Sequence, residues 1–181
     1  MSALATTIPA GTTWTADPVH STVGFAVKHM VVSTFRGRFD DFDATLRADE
    51  DGTLHLSGRV RAGSIAVKDE NLAAHLASPE FFDTERYPQI TFNSTLVRAA
   101  NGELIVDGEL TIKGKTLPLQ ARGTITEPLE TVRGFVETGI SLEATVDRTA
   151  YDMNWNAPLP KGGFALANDV TLAVDLEFVQ A

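Results

Sequence analysis

At 181 residues, 43% of them apolar and 22% charged, the chain has the size and composition of one folded domain able to bury its own core. It contains no cysteine, which excludes disulfides, thiolate metal sites and a cysteine nucleophile. A formal net charge of −9 argues against nucleic acid as a partner and, unless basic residues gather on one patch, against docking on anionic headgroups.

Residues Met1 to Gly11 carry no Lys or Arg and no apolar run of signal-peptide length, and no stretch of the chain is apolar over bilayer thickness. The expectation is a cytoplasmic protein with a flexible N-terminus over 1–11 and a single domain over 12–181. An exported protein whose leader had been removed would read the same way.

From Ser21 onward the dominant signal is alternation, the period-two mark of strands with one buried face. Val23, Phe25 and Val27 share a face that His29 also falls on. Phe39, Phe42, Ala44 and Leu46 follow, with a slip of parity at Asp40 and Asp41 that a β-bulge would produce. Leu54, Leu56, Gly58 and Val60 make the next inner face, after the turn-like pair Asp51-Gly52.

Asp69 to Ala77 breaks the rhythm and reads as a short helix with Leu72 and Leu76 on one side. Ser78-Pro79-Glu80 then looks like a new helix start, with Ser as cap and Pro at the first position, so a helical excursion is expected over about 69–84. Alternation resumes with Ile90, Phe92, Ser94 and Leu96, then Leu104, Val106, Gly108, Leu110 and Ile112, then Leu117, Leu119 and Ala121. Asn101-Gly102 and Lys113-Gly114 mark tight hairpin turns between them. Val136, Ile140, Leu142, Ala144 and Val146 form a further inner face, and Val170, Leu172, Val174, Leu176 and Phe178 form the last.

Serial antiparallel strands of this kind suggest an up-and-down sheet, and closing it removes both exposed edges. The expected fold is therefore an all-β, eight-stranded antiparallel barrel, although periodicity alone also fits a sandwich. A barrel of this size is either filled by its own side chains or holds one small ligand. Gly58, Ser94, Gly108 and Gly123 subtract volume from the inner face, but glycines also serve bends, so both outcomes stay open.

If a cavity exists, its lining is apolar and its natural guest is a hydrocarbon chain. Burial contributes about 0.8 kcal/mol per CH₂, so chain length alone supplies affinity before ordering costs, without any catalytic motif. The candidate ligand-binding residues are Val23, Phe25, Val27, His29, Leu56, Val60, Ile90 and Phe92, with Phe81 and Phe82 from the helical excursion. Leu110, Leu119, Ile140, Leu142, Leu172, Val174 and Leu176 complete the set.

The four histidines offer no pair spaced to share a metal on one element, so no metal site is expected and structural hydrogen bonding is the default. His29 either meets a ligand's polar end or caps its strand. Asp17 and His20 fix the turn leading into the strand, and Trp14 plugs one barrel end. Asp17, His20 and Ser21 do not read as a hydrolase triad: adjacent strand residues point apart, and no G-x-S-x-G elbow is present. Phe81 and Phe82 either gate a cavity or anchor the excursion.

Trp14-Thr15-Ala16-Asp17-Pro18-Val19-His20-Ser21, continuing through Phe25 to His29, resembles the opening W-x-x-D-x-x-H-S-x-x-x-F-x-x-x-H of YceI-like proteins. Arg36-Gly37-Arg38-Phe39, His75-Leu76-Ala77-Ser78-Pro79-Glu80-Phe81-Phe82-Asp83, Tyr87-Pro88-Gln89-Ile90-Thr91-Phe92 and Gly108-Glu109-Leu110-Thr111-Ile112-Lys113-Gly114 are similar to later blocks of that family, in order. So are Asp147-Arg148, Trp155-Asn156 and Val170-Thr171-Leu172.

The resemblance implies a lipocalin-like barrel that binds polyisoprenoid chains, such as prenyl quinones or prenyl phosphates, in an internal tunnel, with no known reaction. Two departures, Arg148-Thr149-Ala150-Tyr151-Asp152-Met153 for R-x-D-F-G-[ML] and Ala167-Asn168-Asp169-Val170 for G-D-E-V, put rim loops and headgroup preference in doubt more than the fold.

The function expected is non-enzymatic binding, storage or transport of a long-chain isoprenoid, with no cofactor and no catalytic residue. Two alternatives are an enzyme using a polar cluster at the mouth around His29 or Asp152, and a self-filled barrel acting as an interaction scaffold. A homodimer is the default oligomer.

Overall fold

The structure is a computed structural model that describes residues 8–181. Most of the stretch expected to be loose, residues 1–7, lies outside the described residues. The rest of it is tied down, contrary to expectation: Ile8 is buried in the core and the Gly11 N–H donates to Asp49 O at 3.1 Å.

Among the described residues, twelve strand segments make up eight walls. The first wall is β1 (Thr13–Ala16) and β2 (Thr22–His29), the second β3 (Ser33–Phe39) and β4 (Phe42–Ala48), and the third β5 (Leu54–Arg61) with the short β6 (Ile65–Ala66). Helix α1 (Glu70–Ala77) precedes β7 (Gln89–Ala100), β8 (Glu103–Ile112) and β9 (Lys115–Ile125). The two-residue β10 (Leu129–Glu130) leads to β11 (Val136–Asp147), and β12 (Leu166–Gln180) ends the chain.

Each wall pairs antiparallel with the next, and β12 closes the ring by pairing with β11 on one side and with β1 and β2 on the other. The expected up-and-down barrel is thus formed, and among the described residues its main walls leave no open edge.

Local chemistry explains the breaks. Asp17 bends the first wall by accepting the Val19 N–H at 2.9 Å, beside Pro18, which has no N–H to donate. The expected slip at Asp40 and Asp41 separates β3 from β4, and there the two amides turn to Ser64, at 3.1 Å to its carbonyl and 3.1 Å to its hydroxyl.

A second slip was not foreseen. The β7–β8 register shifts between Ser94 and Leu96, so Leu96, expected inside, is 51% exposed, and Val97 packs on the core instead. The Ser94 hydroxyl accepts the Leu56 N–H at 2.9 Å beyond the last β5–β7 pair, which keeps that amide bonded where the walls diverge.

Asp69 caps α1 by accepting the Leu72 N–H at 2.9 Å. The second helix expected at Ser78 does not form. Ser78 instead ends α1, its hydroxyl donating to His75 O at 2.6 Å, and residues 79–86 run through turns. The reason lies in the helix end: the Phe82 and Thr84 amides bond back to Leu76 O and Ala77 O, both at 3.0 Å, satisfying carbonyls that α1 leaves open.

The core divides in two along the barrel axis. At one end Trp14, Leu46, Leu104, Val106 and Phe178 are all within 1% of full burial, and Ile8 packs among them. Each fully buried side chain of this kind contributes roughly 1.5–3 kcal/mol, so this end is solid and holds the fold. At the other end α1 and the segment between β11 and β12 lie over the barrel, with Leu76, Phe81, Tyr151 and Met153 forming a second cluster.

Candidate functional site

Between these two clusters lies an apolar cavity of about 450 Å³, within the range usual for small-molecule sites. Its base is the layer of Ala44, Leu56, Ala121, Leu142 and Leu176, resting on the Trp14 end. The site is therefore a pouch closed at one end, where the family resemblance implied a tunnel.

Alternation places its walls. Val23, Phe25, Val27 and His29 line it from β2, Leu56 and Val60 from β5, and Ile90 and Phe92 from β7. Leu110 and Leu119 line it from β8 and β9, Leu142 from β11, and Leu172, Val174 and Leu176 from β12, with Phe81 and Phe82 from the excursion. Ile140 is the exception among the expected residues. Two places below Leu142 on the same face, it is 2% exposed and packs in the solid end.

Of the four small inner residues whose effect the sequence left open, one hollows the barrel. Gly58 lines the cavity, and a Cβ there would find only ordinary contacts. Gly108 makes room for the Phe92 ring, Gly123 for the backbone of Ser141, and Ser94 is spent on the Leu56 amide.

Residues outside the expected ligand-binding set cover the mouth, among them Phe39, which alternation had placed on an inner face. Phe35 and Phe39 add to Phe25 and Phe82 in a run of aromatic contacts with centroids 5.7–6.1 Å apart. His75 sets its ring edge-on to Phe81 and to Trp155, each at 4.9 Å, while its Nε2 lies 2.5 Å from Glu80 Oε2. Phe81 is thereby fixed in place beneath α1, which makes it an anchor as well as a lining residue.

The mouth segment is held by Arg148, 3% exposed, which lines the cavity. Its Nε donates to Ala167 O at 2.8 Å, Nη1 to Met153 O at 2.6 Å and Trp155 O at 2.8 Å, and Nη2 to Leu166 O at 3.3 Å. Burial lowers its pKa, with Asp147 opposing. Tyr151 donates its hydroxyl to Leu110 O at 3.1 Å, and burial raises its pKa. These polar groups are spent on the backbone, so they build the wall. A sequence signal for them existed only in the family-like blocks, because irregular segments have no period.

The lysine of the β8–β9 turn joins both coverings: Lys113 Nζ donates to Pro79 O at 2.9 Å and to Asp152 O at 3.2 Å. Asp152, named for the enzyme alternative, pairs its carboxylate with Lys115 Nζ at 3.0 Å, while His29 stands at the exposed mouth.

Outside the barrel, Asp17, His20 and Glu177 bring three ligand-type atoms within 4.8 Å of one another. They are arranged as ion pairs. The Asp17 hydrogen bond, then Glu177, raise the His20 pKa, and Arg133 stands 3.6 Å from the Glu177 carboxylate. A cation would have to displace the His20 proton against that arginine. Ser21 is turned inward and its hydroxyl accepts the Glu177 N–H at 2.9 Å, away from His20. Among the described residues no helix is long and apolar enough to cross a membrane.

The model of the YceI-like domain family matches residues 14–178. A UPF0312 protein of Staphylococcus aureus is 35% identical over 173 residues, covering 92% of this chain and 97% of its own. The crystal structure of Burkholderia cenocepacia BcnA superposes with a TM-score of 0.76 at 23% identity, over 90% of this chain and 98% of that one. A polyisoprenoid binding domain from Saccharophagus degradans gives a TM-score of 0.64 at 11% identity, over 93% and 98%.

Proposed function

The chain belongs to the YceI-like domain family, and from that premise we propose that it binds a long-chain isoprenoid, a prenyl quinone or prenyl phosphate, as a non-enzymatic carrier or store. The observation that carries this reading is the closed-ended apolar pouch of about 450 Å³. A prenyl tail fits such a site because its affinity scales with buried CH₂ and CH groups, at about 0.8 kcal/mol each, and asks for few polar contacts. A pouch closed at the Trp14 end admits the tail first and leaves the polar head at the His29 end.

The polyisoprenoid-binding name of the Saccharophagus degradans domain supports the same ligand class. Organic extraction of protein purified from its native host, followed by mass spectrometry, is expected to release a prenyl compound. Clean extracts, together with failure to bind added prenyl quinone, would overturn the proposal.

A further inference from the structure

Among the described residues, three hairpin turns that join neighbouring strands place two consecutive residues at positive φ. Asn101-Gly102 (54° and 80°) and Lys113-Gly114 (51° and 73°) do so with the glycine that such turns favour. The third, between β2 and β3, does it with Met30 at 52° and Val31 at 63°. A β-branched residue at positive φ is a genuine outlier, and strain of this kind persists where the side chain serves another purpose.

Those side chains are not buried. Val31 and Val32 are 72% and 84% exposed, and Met30 is partly so. The Met30 N–H donates to Ala165 O at 2.7 Å, which brings the tip beside Phe164, itself 61% exposed at the end of a small loop closed by the Pro158–Phe164 bridge. His29 and Leu166, paired across β2 and β12 next to this tip, line the pouch. The exposed apolar group therefore rims the mouth.

Charge separates this rim from the rest of the surface. Residues 28–37 and 154–168 carry Lys28, Arg36 and Lys161 and no Asp or Glu, in a chain of net charge −9. The first carboxylates down this wall, Asp169 and Asp147, face each other across β12 and β11, at a level between Lys28 and Arg36. An exposed apolar tip whose own two segments carry basic residues and no carboxylate is the pattern that enters a bilayer interface bearing anionic lipid.

We infer that Met30, Val31, Val32 and Phe164 dock the mouth of the pouch onto an anionic lipid bilayer, so that a prenyl chain passes between membrane and pouch without crossing water. This rests on the isoprenoid-binding reading for its purpose, but its test is separate. The contact is peripheral: the tip seats at headgroup depth and the barrel stays outside.

The experiment is co-sedimentation of the full chain with phosphatidylcholine vesicles containing about a quarter phosphatidylglycerol. The wild type is expected to sediment with them, and less with phosphatidylcholine alone. Combined Met30→Asn and Val31→Gly gives the turn its preferred residues, so the fold is retained while sedimentation falls at least about tenfold. Phe164→Ser is expected to act in the same direction. Val132→Asn, at a fully exposed valine in the loop leading to β11, at the solid end, is expected to leave sedimentation unchanged.

Wild-type protein that stays in the supernatant, or equal sedimentation of the turn variant, overturns the inference. So does a dimer that is lost in the turn variant, with no vesicle binding by either. Uptake of prenyl quinone from detergent solution by the turn variant reads the pouch independently: uptake without sedimentation of the wild type removes docking alone, and sedimentation without uptake removes the ligand assignment alone.

Discussion

Phe92 lays its ring over Gly108, the residue opposite Ser94 on the neighbouring wall, so that a Cβ on Gly108 would stand 2.4 Å from the ring and 2.6 Å from Asn93 O. The space a small residue opens on the inner face is here already taken by an aromatic one. Which glycines hollow the barrel depends on their neighbours across the sheet, and the two kinds behave oppositely on substitution.

Gly108→Ala is expected to destabilise the protein by about 1–3 kcal/mol, since one of the crowded atoms is backbone and Phe92 must move into the pouch. A Cβ at Gly58 meets only Asp43 O at 3.6 Å and Ala44 Cβ at 4.0 Å, so Gly58→Val, whose methyl groups extend from there, is expected to fold normally and to weaken prenyl-quinone binding about tenfold by filling the site. Urea unfolding with a binding titration on both variants checks this. Equal effects on stability would show that the two glycines do the same job.

Val174 lines the pouch and pairs with Val23 and Leu142, while Thr171, three places earlier, points outward between Ala26 and Thr145. Val174→Arg places an unpaired charge in apolar surroundings and is expected to abolish ligand uptake or folding. Thr171→Arg is expected to change stability by less than about 0.5 kcal/mol. Similar melting temperatures and uptake for the two variants would contradict the register of β12.

The walls were legible because strands with one buried face write their period into the sequence. From Val23 to Val27 and from Val170 to Phe178 the inward residues could be named one by one. The slip at Asp40 and Asp41 was legible too, because two acidic residues interrupt the alternation there, but other breaks were not. The slip after Ser94 turned Leu96 outward, and no residue type announces it, since the compensating bond is one serine hydroxyl taking a neighbour's amide. The depth of the pouch was equally hidden. Ile140 and Leu142 share a face and a chemistry, and only the packing of Trp14 and Phe178 decides that the hollow stops between them. Arg148 and Trp155 belong to an irregular segment whose conformation comes from long-range bonds, which alternation cannot report.

Asp17 and His20, joined at 2.8 Å, give the first wall a pH-dependent clasp. The Asp17 hydrogen bond raises the His20 pKa above its ordinary 6.5, so this contribution is complete below about pH 6.5 and fades as pH rises through the raised value. The same bond, with the Val19 amide, lowers the Asp17 pKa below 3.8, so that contribution is complete above about pH 4 and is lost as pH falls through the lowered value. Both are present between about pH 4 and 6.5. His20→Gln is expected to lose most melting temperature in that window and to converge on the wild type at alkaline pH. An NMR titration midpoint for His20 at or below 6.5 would refute the clasp.

Arg148 gathers four backbone carbonyls from both sides of the mouth segment, two at Met153 and Trp155 and two at Leu166 and Ala167. A planar guanidinium can span them because its donors diverge from three nitrogens, whereas a lysine offers three donors from one point. Arg148→Met leaves those carbonyls without their donors and is expected to cost at least about 3 kcal/mol, and Arg148→Lys is expected to recover little of it. Because the same segment carries Trp155 and Leu166 over the pouch, hydrogen exchange over 153–167 should accelerate more than in β8, and bound prenyl quinone should dissociate faster. Wild-type exchange and dissociation in Arg148→Lys would mean that the positive charge alone, without the fork of donors, holds the mouth.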